Sequence, residues 1–172
     1  SVAVGVALSQ LVRKSTACSW VVTGDGALEE GAFAESLLLS RTVNAPLITI
    51  IEDNGWSLAT SVKERRSPIN LKDLVGAYGV HYLEANDKSV EACVAVLTEA
   101  RSIALGQRTP VAVHVPLDTL GGRWVDDPNA SIGRRFINYH AGPANGITLD
   151  GIEETVFESE DPLESALAEP WA

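Results

Sequence analysis

Four short apolar runs punctuate this chain: "CSWVVT" at 18–23, "PLITIIE" at 46–52, "VHYLEA" at 80–85 and "VAVHV" at 111–115. The stretches between them carry helical spacing. Strand, helix, strand, helix in repetition predicts an α/β domain, a doubly wound parallel sheet with helices on both faces. "PLITIIE" is continuously apolar, the pattern of a strand covered on both faces. "CSWVVT" reads as a buried strand too.

The helical stretches carry their own signals. "SVAVGVALSQLV" (1–12) is apolar nearly all round, and its small residues Ala3, Gly5 and Ala7 predict a tightly packed, buried helix. Residues 27–43 read as a helix with Phe33, Leu37 and Leu38 on one face. Glu29 and Glu30 fall in its first turn, where the helix dipole favours them. Asn70 suits the N-cap of a short helix through Tyr78, and Gly79 suits its exit. Asp87 starts a long helix in which Val90, Cys93, Val94, Leu97 and Ala104 recur on one side. The α/β domain is expected over residues 1–116. After Pro116 the pattern fades, and 117–172 reads as a loop-rich segment and an acidic tail with one short helix at most.

Bulk properties limit the function. A formal net charge of -10 argues against a nucleic-acid partner. "KERR" (63–66) is the one dense basic run and reads as a solvated loop. Backbone amides and a metal could still hold a phosphate locally. Cys18 and Cys93 match no metal or redox spacing, so buried reduced thiols in a cytoplasmic protein are expected. No apolar stretch reaches transmembrane length and no signal peptide opens the chain. There is no Met, even at position 1, so the chain is expected to be processed or cut from something longer.

The candidate site lies in "VVTGDGALEEGAFAE" (21–35). Gly24-Asp25-Gly26 closes the first predicted strand, and "EDNGW" (52–56) closes the next. Open parallel sheets bind ligands outside the carboxyl ends of their strands, so Asp25 and Asn54 are expected to face each other across one crevice. A carboxylate and an amide oxygen are hard donors suited to Mg²⁺. Gly24 and Gly26 let a phosphate approach the backbone, and the following helix N-terminus favours an anion.

Gly-Asp-Gly, then about 27 residues, then Asn resembles the cofactor motif of thiamine diphosphate-dependent enzymes. "GDGALEEGAFAESLLLS" followed by "APLITIIEDNGWSLATS" is similar to the α-subunit of 2-oxo acid dehydrogenase E1 components. The similarity extends more weakly through "EARSIALGQRTPVAVHV" to "DDP" at 126–128. Transketolase amino-terminal domains, which share the motif, are the nearest rival. The resemblance implies a diphosphate-type domain. It implies that Asp25, Asn54 and the main-chain carbonyl of Trp56 ligate Mg²⁺, and that Gly24, Gly26 and Ala27 contact the diphosphate. It further implies a 2-oxo acid substrate, or a ketose in the transketolase case. The partner implied is a pyrimidine-binding domain or β-type subunit, in a two-plus-two hetero-oligomer. Ala32, Ala34 and Ser36 of the 31–43 helix offer a close-packing surface for it.

The chain departs from that pattern in three places. The family's activating glutamate belongs to the other domain, so this chain is not expected to act alone, and no catalytic side chain is named. A His-Gly-His-like stretch usually precedes the Asp-Asp-Pro loop, whereas Leu120, Gly121 and Gly122 stand here. The chain also starts where the family's first diphosphate-contacting segment should end. A transketolase- or decarboxylase-type half-enzyme, or a non-catalytic assembly or regulatory subunit, are the alternatives. Residues 121–127 are expected to form a loop that orders with cofactor and partner, with Arg123 towards the diphosphate or a substrate carboxylate; an ordinary turn with Trp124 in the core is the rival. Glu30 and Glu35 read first as helix-face residues, and His81 and His114 as satisfied strand residues. His140 reads as a loop histidine beside Arg134 and Arg135, and less readily as a substitute for the family's imidazole.

Overall fold

The computed structural model describes residues 1–57, 60–85, 89–117, 122–129, 131–138 and 152–156, with the backbone alone for 122–125, 134–138 and 152–156. In chain order the elements are α1 (Val2–Val12), β1 (Ser19–Gly24), a 3-10 turn (Asp25–Glu29), α2 (Gly31–Thr42) and β2 (Leu47–Asp53). There follow β3 (Trp56–Ser57), β4 (Thr60–Ser61), α3 (Val62–Arg65), α4 (Leu71–Ala77), β5 (His81–Glu84), α5 (Val90–Gly106) and β6 (Val111–Pro116). The last are β7 (Gly122–Asp126), β8 (Arg134–Asn138) and β9 (Ile152–Val156). The chain divides into two units, residues 1–53 with 68–116, and residues 54–67 with 117–172.

The first unit is a parallel sheet in the order β1-β2-β6-β5. Strand side chains alternate between faces, and the core clusters follow that rule. Leu47 and Ile51 of β2 pack with residues of α1, α2 and α4. Ile48, one residue out of phase, packs with α5. Helices therefore cover both faces of β2, as its unbroken apolar run predicts. Ile48 and Ile51 are completely buried, and each such side chain contributes roughly 1.5–3 kcal/mol of transfer free energy.

Several expectations need correction. β1 is half-exposed: Trp20 is 43% and Val22 57% accessible. α5 packs on β2, β5 and β6, and no helix among the described residues covers that face of β1. α1 buries only Val4 and Ala7, while Val2 is 81% exposed. A helix on one sheet face buries one stripe, and uniform apolarity does not say which. α2 begins at Gly31 rather than 27, because Glu30 is extended (φ -80°, ψ 132°) and the residues before it form the 3-10 turn. Phe33 and Leu37 face the core, but Leu38, turned a further 100° or so, is exposed.

Helix ends follow their chemistry closely. The Asn70 side chain accepts from the Asp73 N–H at 3.2 Å, and Gly79 leaves α4 at φ +69°. α5 starts at Ser89, whose Oγ accepts from the Ala92 N–H at 3.2 Å; Asp87 lies outside the described residues. The buried stripe of α5 is Val96, Ala100 and Ala104, and Val90 and Val94 point outward. Cys18 and Cys93 are free thiols, half-buried rather than buried.

The second unit overturns the expectation of loops. β7 pairs antiparallel with β8 and β9, giving a three-stranded sheet in the order β8-β7-β9. "GRWVD", "RRFIN" and "IEETV" are short, and their charges hide the two-residue alternation. A turn joins the first two, with Asp127 N–H donating to Gly133 O at 2.8 Å and Gly133 at φ +71°. Thus residues 122–126, expected in a cofactor-ordered loop, form a strand, and a strand also occupies the expected acidic tail. Gly121, His140 and residues 157–172 lie outside the described residues. "KERR" is no plain loop: Lys63–Arg65 fall in α3, which Ser61 and Glu64 close with a capping box. Among the described residues no helix is long and apolar enough to cross a membrane.

Candidate functional site

All four strands of the parallel sheet run in one direction, so their carboxyl ends form one edge. The last β1–β2 pair is Gly24 with Glu52. Asp25 therefore emerges next to Asp53, and Glu84 ends β5 on the same edge. Asp25, Glu52, Asp53 and Glu84 make this edge strongly acidic.

Asp25 opens the 3-10 turn and is only 2% exposed. A buried carboxylate is costly unless its charge is met. Ala27, two residues on, lines a mostly apolar cavity of about 390 Å³ between α1, β1 and α2, together with Thr23 and Glu30. Gly24, at φ -95° and ψ 166°, is ordinary extended backbone, so close approach rather than strain is the use of a glycine there.

Asn54 and Trp56 belong to the second unit. Trp56 N–H donates to Asn54 Oδ1 at 3.0 Å, and Gly55 between them has φ +72°. That conformation favours glycine and turns the chain sharply. The bond uses one of the two lone pairs on Oδ1 and leaves the other for a second partner. Val62 N–H closes the turn on Gly55 O at 2.8 Å.

A further group at the acidic edge escaped sequence reasoning. His114 Nε2 lies 3.1 Å from Asp53 Oδ2, and its Nδ1 lies 2.9 Å from the Tyr82 hydroxyl. Tyr82 also reaches Glu84 Oε2 at 2.9 Å, and Glu84 Oε1 is 3.7 Å from His114 Nδ1. Tyr82 has one proton for two neighbours. With Nε2–H of a neutral imidazole donated to Asp53, Nδ1 accepts the phenol proton, and that proton can pass to Glu84 only when both ring nitrogens carry hydrogen. Burial, then the hydrogen bond and charge of Glu84, then the charge of Asp53, push the Tyr82 phenol well above its ordinary range. His114 is thus satisfied, as expected of a strand histidine, but by groups from two neighbouring strands. Register was the available signal: His114 pairs with Ile51 on one side and Glu84 on the other. His81 is exposed at the opposite edge.

The donor chemistry fits a divalent cation. Taken singly, a carboxylate, an amide oxygen and a main-chain carbonyl are each hard oxygen donors of the kind Mg²⁺ takes alongside phosphate oxygens and water. The fit does not need a cage of acids, and among the described residues no three His, Cys, Asp or Glu side chains form one. The acidic edge also decides how a diphosphate could be held. Asp25, Glu52 and Asp53 would repel a bare polyanion, and a bridging cation reverses that sign.

The family model described as "Dehydrogenase E1 component" matches residues 1–128. The chain is 26% identical over 125 residues to 2-oxoisovalerate dehydrogenase subunit alpha 1, mitochondrial, of Arabidopsis thaliana, spanning 73% of this chain and 26% of that protein. It is 25% identical over 134 residues to the pyruvate dehydrogenase E1 component subunit alpha of Acholeplasma laidlawii, spanning 78% of this chain and 39% of that one. The chain thus spans well under half the length of these relatives. A transketolase mutant from Pichia stipitis superposes with a TM-score of 0.56 at 24% identity, over 67% of this chain and 18% of that one, a likeness of fold.

Proposed function

We propose, from the premise that the chain belongs to the dehydrogenase E1 component family of thiamine diphosphate-dependent enzymes, that it is the diphosphate-binding part of such an enzyme. Asp25, Asn54 and the Trp56 carbonyl hold Mg²⁺, and the backbone of Gly24, Gly26 and Ala27 lies along the diphosphate. The observation that carries this is the burial of Asp25 at the end of β1, in register with the acidic end of β2. Held there by Asp25, Asn54 and the backbone of Gly24, Gly26 and Ala27, the cofactor would supply the carbanion chemistry needed for decarboxylation of a 2-oxo acid. This chain's own work is to bind and orient. Asp25 fixes the cation, the Gly55 turn presents Asn54, and the glycine backbone leaves room for phosphate oxygens.

The activating carboxylate comes from a pyrimidine-binding domain or β-type subunit, so activity requires a partner, in a two-plus-two assembly. Exposed apolar side chains support such a partner: Leu38 and Leu39 on α2, Val2 and Val6 on α1. Surface of this kind commonly marks an interface. The test is reconstitution with a β-type subunit and assay of 2-oxo acid decarboxylation with an artificial electron acceptor. Turnover that needs both chains supports the proposal, and turnover by this chain alone contradicts it.

A second reading, a non-catalytic subunit that keeps the fold and the cofactor, is favoured by Leu120-Gly121-Gly122 standing where the family resemblance implies a His-Gly-His-like stretch. A reconstituted complex that binds cofactor but releases no CO₂ would select it.

A further inference from the structure

The opposite edge of the sheet has the opposite chemistry. A cleft of about 500 Å³ opens at the amino-terminal ends of β5 and β6, lined by Leu11, Arg41, Val43, Asn44, His81 and Arg108 with Gln107 and Thr109 beside them. Its volume is in the range of small-molecule sites, and it lies wholly within the first unit.

Both arginines are held in place by neutral groups. Arg41 Nη1 donates to Asn44 Oδ1. The Arg41 side chain also runs beside Gly79, where an added Cβ would meet its Nε at 3.4 Å. Arg108 donates from Nη1 and Nη2 to the Ser15 carbonyl at 3.4 and 3.1 Å. Among the described residues no carboxylate pairs with either guanidinium. In a chain of net charge -10, two arginines are thus oriented and left uncompensated in one cleft.

Helix capping does not account for them. Four helices end at this edge, each leaving through a left-handed residue: Lys14, Asn44, Gly79 and Arg108. Their last carbonyls are already served by backbone donors, as Ser15 N–H on Gln10 O and Ala45 N–H on Ser40 O show. Arg108 itself sits at φ +47°, where glycine is the usual choice. Holding a non-glycine residue there costs on the order of 1–2 kcal/mol.

We infer that this cleft is a second anion site, built for a small phosphate monoester. Two guanidiniums offer forked donors that match phosphate oxygens. His81, Gln107 and Asn44 add polar groups around them, and Leu11 with Val43 give an apolar wall for a short carbon skeleton. The site is separate from the proposed cofactor site. β2 has seven residues, and at about 3.3 Å per residue the two edges stand roughly 20 Å apart. A ligand here acts on the enzyme from outside its reaction centre.

Calorimetric titration of the full chain with ribose 5-phosphate, in EDTA to remove divalent cations, tests this directly. The inference requires saturable binding, weakened about tenfold by Arg41→Gln or Arg108→Gln through loss of a charge-assisted pair. It also requires binding unchanged in Asp25→Ala, which separates this site from the carboxyl edge. Arg41→Lys should restore part of the affinity, and circular dichroism of each variant controls for folding. No saturation at millimolar ligand, or equal binding by a folded Arg41→Gln/Arg108→Gln double variant, overturns it.

Discussion

Asp53 and His114 meet across neighbouring parallel strands, Oδ2 to Nε2 at 3.1 Å, at the edge where the proposed cofactor site begins. His114 ties the end of β2 to β6, and Tyr82 and Glu84 extend the tie to β5. The last residue of β2 before Asn54 is therefore anchored from the side.

Removing that anchor should be felt as stability. His114→Ala leaves half-buried Asp53 without this partner, and losing a hydrogen bond to a charged group costs about 1.5–3 kcal/mol. Urea unfolding should show a lower midpoint with little change in slope. An unchanged midpoint would mean that the pair contributes nothing net.

Tyr82 predicts a pH effect whose sign is fixed by its raised pKa. The unfolded phenol ionises near its ordinary value of about 10, while the folded one resists ionisation. The contribution of Tyr82 is therefore fully present below that pH and declines as pH rises above it towards the folded value. Tyr82→Phe should remove this part of the alkaline loss. Thermal melts of both proteins across the alkaline range check it, and parallel curves would contradict it.

Core burial separates two leucine-rich helix faces that sequence spacing confused. Leu37→Ala, at a position of α2 only 3% exposed and packed with Ile51 and Val75, should cost about 2–5 kcal/mol. Leu38→Ala, at a position 57% exposed in the chain alone, should fall within about 0.5 kcal/mol. If the two variants unfold at the same denaturant concentration, the assigned face of α2 is wrong.

What the sequence disclosed followed from strong local signals. "PLITIIE" and "VAVHV" are predominantly apolar over a strand's length, so their strands were legible, and Asn70 and Gly79 marked α4 through side-chain chemistry. β7, β8 and β9 were not legible because each is five residues long and carries charge. Trp20 and Val22 misled because apolarity reports what a strand could bury, and position in the sheet decides what it does bury. At the site, Gly24, Asp25 and Asn54 were readable as turn residues at strand ends. The Asp53–His114–Tyr82–Glu84 group depends on register between strands distant in sequence, and one sequence gives no register.

The central claim is that Asp25 holds a divalent cation for a diphosphate. Its most direct test is calorimetric titration of thiamine diphosphate into the partner-assembled protein, with and without Mg²⁺, for the wild type and Asp25→Asn. Asparagine keeps the size and removes the charge. Wild-type binding should depend on Mg²⁺, and Asp25→Asn should weaken it by about 100-fold, the scale of a lost charge-assisted contact in a buried site. A folded Asp25→Asn protein that binds thiamine diphosphate with unchanged affinity and unchanged Mg²⁺ dependence would contradict the account.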